Sequence, residues 1–214
     1  KSIKKLKHAI IMESLVKEEK NDRGFFFLPI DRVFSKKGFG TVCTGTVISG
    51  TTHLGSELQI FPGNYIGKIR GMQSHGIAVK KTTIGDRVSI NFSNLDKKNI
   101  SRGSTLFDIE KLEAVKNIIA KVNMVKKTKW LLKNNQRVHV NIGTSHIIGT
   151  VKKLSKAIRS NESSNVLIIL QRPIVVLNGQ KFIIRSLSPS ETIAGGEILH
   201  QRNKEYGKKE LSFL

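Results

Sequence analysis

The sequence predicts an all-β fold: two consecutive small antiparallel β-barrels preceded by one N-terminal helix. Three observations carry this. From Phe25 to Leu199 the apolar residues come in short runs of strand length, divided by glycine, proline and asparagine turns. No helical period interrupts those runs, so the strands must cover their apolar faces with other strands. Helical spacing occurs only at the start, where Ile3, Leu6, Ile10, Ile11, Leu15 and Val16 recur at intervals of three to four with lysines opposite. A length of 214 residues is enough for two barrels that each bury a core.

In chain order, residues 1–18 read as the helix. It has too little apolar surface to stand alone and must pack on a barrel or on a neighbour outside this chain. Lys17 to Gly24 is polar, ends in glycine and reads as a linker. Phe25 to Phe34 is rich in Phe, Ile and Val, and Pro29 excludes an interior helix. A Lys36-Lys37-Gly38 turn leads into a second strand run, Phe39 to Ile48, with glycines at 40, 45 and 50. Glycine inside a strand marks a bulge, a corner or close approach of another backbone. Further strands are expected at Ile66–Ser74, Asp86–Ser93 and Ile100–Phe107, with turns at Pro62-Gly63-Asn64 and Asn94–Asn99. The charged stretch Asp108–Glu113 reads as the joint. A second set begins near Ala114 and continues through Gln136–Ile142, His146–Val151, Asn165–Leu170, Lys181–Leu187 and Glu191–Leu199. The expected division is residues 1–24, helix and linker; 25–110, first barrel; 111–200, second barrel; and 201–214, a polar, basic tail.

Charge is the strongest compositional signal. Lys and Arg number 37 against 16 Asp and Glu, a net charge of +21. The excess concentrates after residue 112, where 18 basic residues face 6 acidic ones. A field of that sign favours a polyanion such as a nucleic-acid backbone, although a lysine-rich composition accounts for part of it. No apolar run approaches the roughly 20 residues needed to span a bilayer. The single cysteine, Cys43, excludes an intramolecular disulfide and a cysteine-based zinc site, fits a reducing compartment, and reads as a buried structural thiol.

Catalytic signatures are lacking. The nearest string to a phosphate loop, GNYIGKI at Gly63–Ile69, is one residue short and lacks the magnesium-binding hydroxyl. No DxxG or NKxD follows. The six histidines form no HExxH, and no nucleophile elbow surrounds a serine. His75, His139 and His146 read as surface or satisfied side chains. No catalytic residue, metal or cofactor is expected within these boundaries.

Three segments resemble one family. LPIDRVF (Leu28–Phe34) followed by KGFGTVCTGT (Lys37–Thr46), QRVHVNIGTSHIIGTV (Gln136–Val151) and FIIRSLSPSETIAGGEIL (Phe182–Leu199) are similar, in order and spacing, to SelB, the selenocysteine-specific translation elongation factors. Elongation factor Tu has a related first segment, with an acidic residue where Arg32 stands. Ala194 replaces a glycine of the family's closing strand, a change small enough to leave the fold intact. The resemblance implies that residues 1–24 end a GTPase domain lying outside this chain, with GTP and magnesium bound there. It implies that the two barrels are the family's second and third domains, and that the tail leads to winged-helix domains that grip an mRNA hairpin. Selenocysteyl-tRNA and the ribosome would be the partners of a monomeric, cytoplasmic factor.

By the same resemblance the aminoacyl pocket maps onto Asp31, Arg32 and Arg70, with His75 at its rim. Two guanidinium groups suit a selenolate, because a selenol is a stronger acid than a thiol and is ionised at neutral pH. Asp31 would accept from the free α-amino group. Read from the residues alone, Asp31 and Arg32 form a local surface ion pair. In the second barrel, Lys126, Lys127, Lys129 and Lys133 surround Trp130, and Arg137 follows; Lys152, Lys153 and Lys156 form a second basic edge. Either edge suits a tRNA backbone, and Trp130 reads as core filler or as a stacking platform. The alternatives are another tRNA-carrying GTPase, such as an elongation factor Tu paralogue, or a GTPase-linked barrel module that binds RNA or protein outside translation.

Overall fold

A computed structural model describes residues 2–15, 22–36, 40–93, 95–152 and 156–202. Helix α1 spans Ser2–Leu15 and buries none of its residues. It therefore does not pack on a barrel: Ile3, Leu6 and Leu15 stay more than half exposed. The linker is tied down at its end, where Asp22 Oδ1 accepts from the backbone N–H of Gly24 at 3.0 Å and of Gly50 at 2.9 Å.

The first barrel is built from β1 (Phe27–Lys36), β2 (Gly40–Thr46), β3 (Thr51–His53), β4 (Glu57–Phe61), β5 (Tyr65–Ser74), β6 (Ile77–Ala78), β7 (Lys81–Thr83), β8 (Arg87–Phe92) and β9 (Thr105–Phe107). Its closed circuit runs β4-β9-β1-β2-β8-β5 and back to β4, all antiparallel; β6 extends β5, and β3 pairs with β7 as a small side ribbon. Phe26, Leu28, Ile30, Leu58, Ile60, Ile90, Phe92 and Leu106 fill it. Gly45 faces this core, and a Cβ there would lie 2.4 Å from both Leu28 Cδ2 and the Pro29 carbonyl oxygen. The close backbone approach anticipated from the glycine pattern is real at this position.

The second barrel comprises β10 (Val115–Met124), β11 (Arg137–Ile142), β12 (Ser145–Lys152), β13 (Ser163–Ile174), β14 (Lys181–Arg185) and β15 (Thr192–Arg202), closed in the order β10-β13-β12-β11-β14-β15. Alternating side chains of β10, β11 and β12 point inward, as a strand whose other face meets water requires. Ala194 is fully buried between Met124 and Ile184, so the departure from glycine is accommodated.

The two barrels share a third apolar cluster of Phe27, Phe107, Val175 and Leu177, with Phe25, Phe61, Leu112 and Ala114 packed on it. Several expectations need correction. Ile100–Phe107 is strand only over its last three residues, because a turn at Arg102-Gly103, with φ of 92° at Gly103, bends the chain first. The sequence reading also passed over β3, β4, β6 and β7, which are mostly too short to show alternation. The Lys37-Gly38 turn, most of the tail and Lys153 lie outside the described residues.

Candidate functional site

Two β-bulges set the geometry of the first barrel's outer face. Along β1, Ile30 is buried and Val33 packs on the core, yet two residues stand between them. The register against β2 shifts between Ile30 and Arg32, leaving Asp31 as the extra residue. Strict alternation would turn one of the pair inward; the bulge turns both Asp31 and Arg32 outward. Strand β5 repeats the device. Ile69 and Met72 are buried, the register against β8 shifts between Ile69 and Gly71, and Arg70 is the extra, exposed residue.

Partner residues across antiparallel strands share a face. The pairs Arg32–Thr44 and Phe34–Val42 on β1 and β2, and Thr44–Ser89 and Val42–Asn91 on β2 and β8, therefore put Arg32, Phe34, Ser89 and Asn91 on one surface with Arg70. Two adjoining depressions lie there. One, of about 460 Å³, is lined by Phe34, Val42, Arg70, Gly71, Ser89 and Asn91, among others. The other, of about 440 Å³, is lined by Asp31, Arg32, Phe34, Lys97, Ser101 and Arg102, among others. Phe34, 41% exposed, is the wall common to both.

Asp31 does not pair with Arg32. Its carboxylate takes a bidentate fork from Arg87 on β8, with Nη1 to Oδ2 at 2.5 Å and Nη2 to Oδ1 at 3.1 Å. The Asp31 hydrogen bond and charge push the Arg87 guanidinium up from its ordinary value. Neither Arg32 nor Arg70 has an ion-pair partner among the described residues. His75 sits with Gly76 at the exposed tip of the β5–β6 hairpin, with φ of 51° and 80°, and lines neither depression. Sequence reasoning missed Arg87, Lys97 and Arg102, which come from distant segments with no motif around them. The GNYIGKI string forms the β4–β5 turn and the outer half of β5, which is not the strand-loop-helix setting of a phosphate loop.

On the second barrel the stretch after β10 forms a depression of about 530 Å³ lined by Lys129, Trp130, Leu131, Lys133, Asn134, Asn135 and Gln136. Trp130 packs against the barrel core and donates its indole N–H to Glu191 Oε2 at 2.7 Å, so it is a wall rather than a free platform. Lys152 Nζ donates to Asn135 Oδ1 at 2.7 Å, which brings part of the second basic edge onto the first. Lys126, Lys127 and Arg137 are exposed nearby in sequence but line no part of it. His139 and His146 lie with ring centroids 4.5 Å apart and their planes tilted by 42°. His139 Nδ1 has no hydrogen-bond partner among the described residues, and desolvation, with His146 and Arg185 adding to it, lowers its pKa.

Two closed six-stranded antiparallel barrels in tandem, one with Arg32 and Arg70 unpaired among the described residues and the other with a lysine-rich end, have the architecture of translation-factor barrel domains. Residues 40–107 match the family model for elongation factor Tu domain 2, and residues 118–205 match that for the β-barrel domain of selenocysteine-specific elongation factors. The selenocysteine-specific elongation factor of Desulfomicrobium baculatum is 34% identical over 176 residues, covering 82% of this chain and 28% of that protein. The one from Methanocaldococcus jannaschii is 31% identical over 190 residues, covering 80% and 40%. The crystal structure of the elongation factor SelB from Methanococcus maripaludis in its apo form superposes with a TM-score of 0.78 at 27% identity, over 92% of this chain and 46% of that one. The chain belongs to the selenocysteine-specific elongation factor family, and it spans less than half the length of these relatives.

Proposed function

We propose that these barrels form the aminoacyl-tRNA grip of a selenocysteine-specific elongation factor. The observation that carries this is the outer face of the first barrel, where Arg32 and Arg70 stand unpaired among the described residues beside Phe34. A selenolate on the aminoacyl end gains charge-assisted hydrogen bonds there, ionised on both sides, that a neutral seryl hydroxyl cannot match. Arg70 on β5 and Phe34 on β1 line one depression, and Arg32 lines the other across Phe34, so the two arginines flank the same apolar wall. Lys129, Lys133 and Lys152 at the end of the second barrel supply sequence-independent attraction for the tRNA backbone.

The wider activity extends this reading. GTP and magnesium bind in a GTPase domain beyond these barrels, and the factor delivers selenocysteyl-tRNA to the ribosome at recoded UGA codons in the cytoplasm. Further domains hold the mRNA hairpin, and the factor works as a monomer. No helix among the described residues is long and apolar enough to cross a membrane. The match of residues 40–107 to elongation factor Tu domain 2 also suits a carrier of ordinary aminoacyl-tRNA. Equilibrium binding of the full-length factor to selenocysteyl-tRNA and seryl-tRNA separates the two. Marked preference for the former supports the selenocysteine reading, and equal affinity supports the general carrier.

A further inference from the structure

We propose that Arg87 is a positioning residue for anion selectivity: by neutralising Asp31, it leaves Arg32 and Arg70 free to act on the selenolate. The inference rests on the proposed aminoacyl reading of the first barrel. The bulge at Asp31 places a carboxylate directly beside Arg32, on the surface meant to attract an anion. Unneutralised, that carboxylate would repel a selenolate and compete for Arg32. Arg87 prevents both effects. Its side chain extends from β8 past the intervening strand β2 and engages both carboxylate oxygens, a geometry that a planar guanidinium provides and an ammonium does not.

The backbone of Arg87 is itself fixed. Its carbonyl accepts from Ser74 Oγ at 3.1 Å, and Arg87 pairs with Thr46 across the β2–β8 ladder. The cluster of Asp31, Arg87, Arg32 and Arg70 thus holds one neutral pair and two cations without an ion-pair partner among the described residues. Asp31 retains lone pairs beyond the two bonds that Arg87 takes, so accepting from the substrate's α-amino group stays open to it. The ion pair is partly exposed and adds little stability by itself. Its consequence is the charge seen by the ligand.

The test uses the full-length factor with GTP and compares equilibrium binding of selenocysteyl-tRNA and seryl-tRNA across three forms. In the wild type, preference for selenocysteyl-tRNA is expected. In Arg87→Gln the exposed carboxylate lowers that preference about tenfold, mostly by weakening the selenocysteyl form, as loss of one charge-assisted contact does. In the double variant Asp31→Asn with Arg87→Gln the neutral pair is restored and the preference returns to within a few-fold. A purely structural Arg87 would weaken both tRNAs alike, and the second substitution would restore nothing; either result overturns the proposal, as does an unchanged preference in Arg87→Gln. If the wild type binds both tRNAs equally, the aminoacyl reading fails and this inference falls with it. If the wild type discriminates and Arg87→Gln does so equally well, only the role of Arg87 fails.

Discussion

Ser145 Oγ donates to the Gly103 carbonyl at 2.8 Å, a hydrogen bond that ties the β11–β12 turn of the second barrel to the loop before β9 of the first. Pro29 flanks the same turn, 3.4 Å from where a Cβ on Gly143 would stand. The Arg23 guanidinium reaches the Asn178 carbonyl, so the linker also touches the second barrel. Together with the shared apolar cluster, these contacts hold the pocket face and the lysine-rich end in one fixed relationship.

That relationship is breakable at Leu177. Truncating a buried leucine costs about 2–5 kcal/mol, and here the loss falls on the cluster between the barrels. Leu177→Ala should split one calorimetric transition into two, each barrel melting separately. A single transition merely shifted downward would show that the barrels fold as one unit without this contact.

Gly71 lines the Arg70 depression, and a Cβ added there meets nothing within 4 Å. Gly71→Val should leave stability unchanged or raise it by up to ~1 kcal/mol, since glycine weakens a strand. It should nonetheless weaken binding of aminoacylated tRNA by filling the depression while sparing uncharged tRNA. Unaltered binding of both forms would place the aminoacyl end elsewhere.

Burial pushes the Cys43 thiol up to about 12. Below the unfolded-chain value both states keep the proton and the group adds no pH dependence. As pH rises past about 9 the unfolded state loses its proton first, and folding stability falls until the folded pKa is reached. Urea titrations of Cys43→Ala should therefore show a shallower alkaline decline than the wild type between about pH 9 and 11. Parallel curves would mean that the thiol ionises equally in both states.

Trp130 is the chain's one tryptophan; it lines the lysine depression and donates its indole N–H to Glu191. In a full-length factor whose other tryptophans are replaced, RNA binding at this end should change the indole fluorescence. Lys133→Ala should reduce the salt slope of tRNA affinity by about one unit and weaken every tRNA alike. An unchanged slope would remove Lys133 from the phosphate contacts.

The barrels were legible because alternation and turn residues report strands directly, as β11 and β12 illustrate. What escaped was set by tertiary register. Asp31 beside Arg32 looks in sequence like a local ion pair; the bulge and Arg87, 56 residues away, decide otherwise. Lys152 looked like a separate edge until Asn135 brought it to Lys129 and Lys133. His75 follows Arg70 closely, yet the hairpin carries it to a tip.

The central claim, that the first barrel selects an anionic aminoacyl group, meets its most direct test at Arg70. Binding of the full-length factor to selenocysteyl-, seryl- and uncharged tRNA should be compared between wild type and Arg70→Ala at two salt concentrations. A hydrogen bond to a charged group contributes about 1.5–3 kcal/mol, so selenocysteyl-tRNA affinity should fall tenfold or more. The other two forms should hold nearly constant at both salts. Equal weakening of all three, with a reduced salt slope, would make Arg70 another phosphate contact and contradict the account.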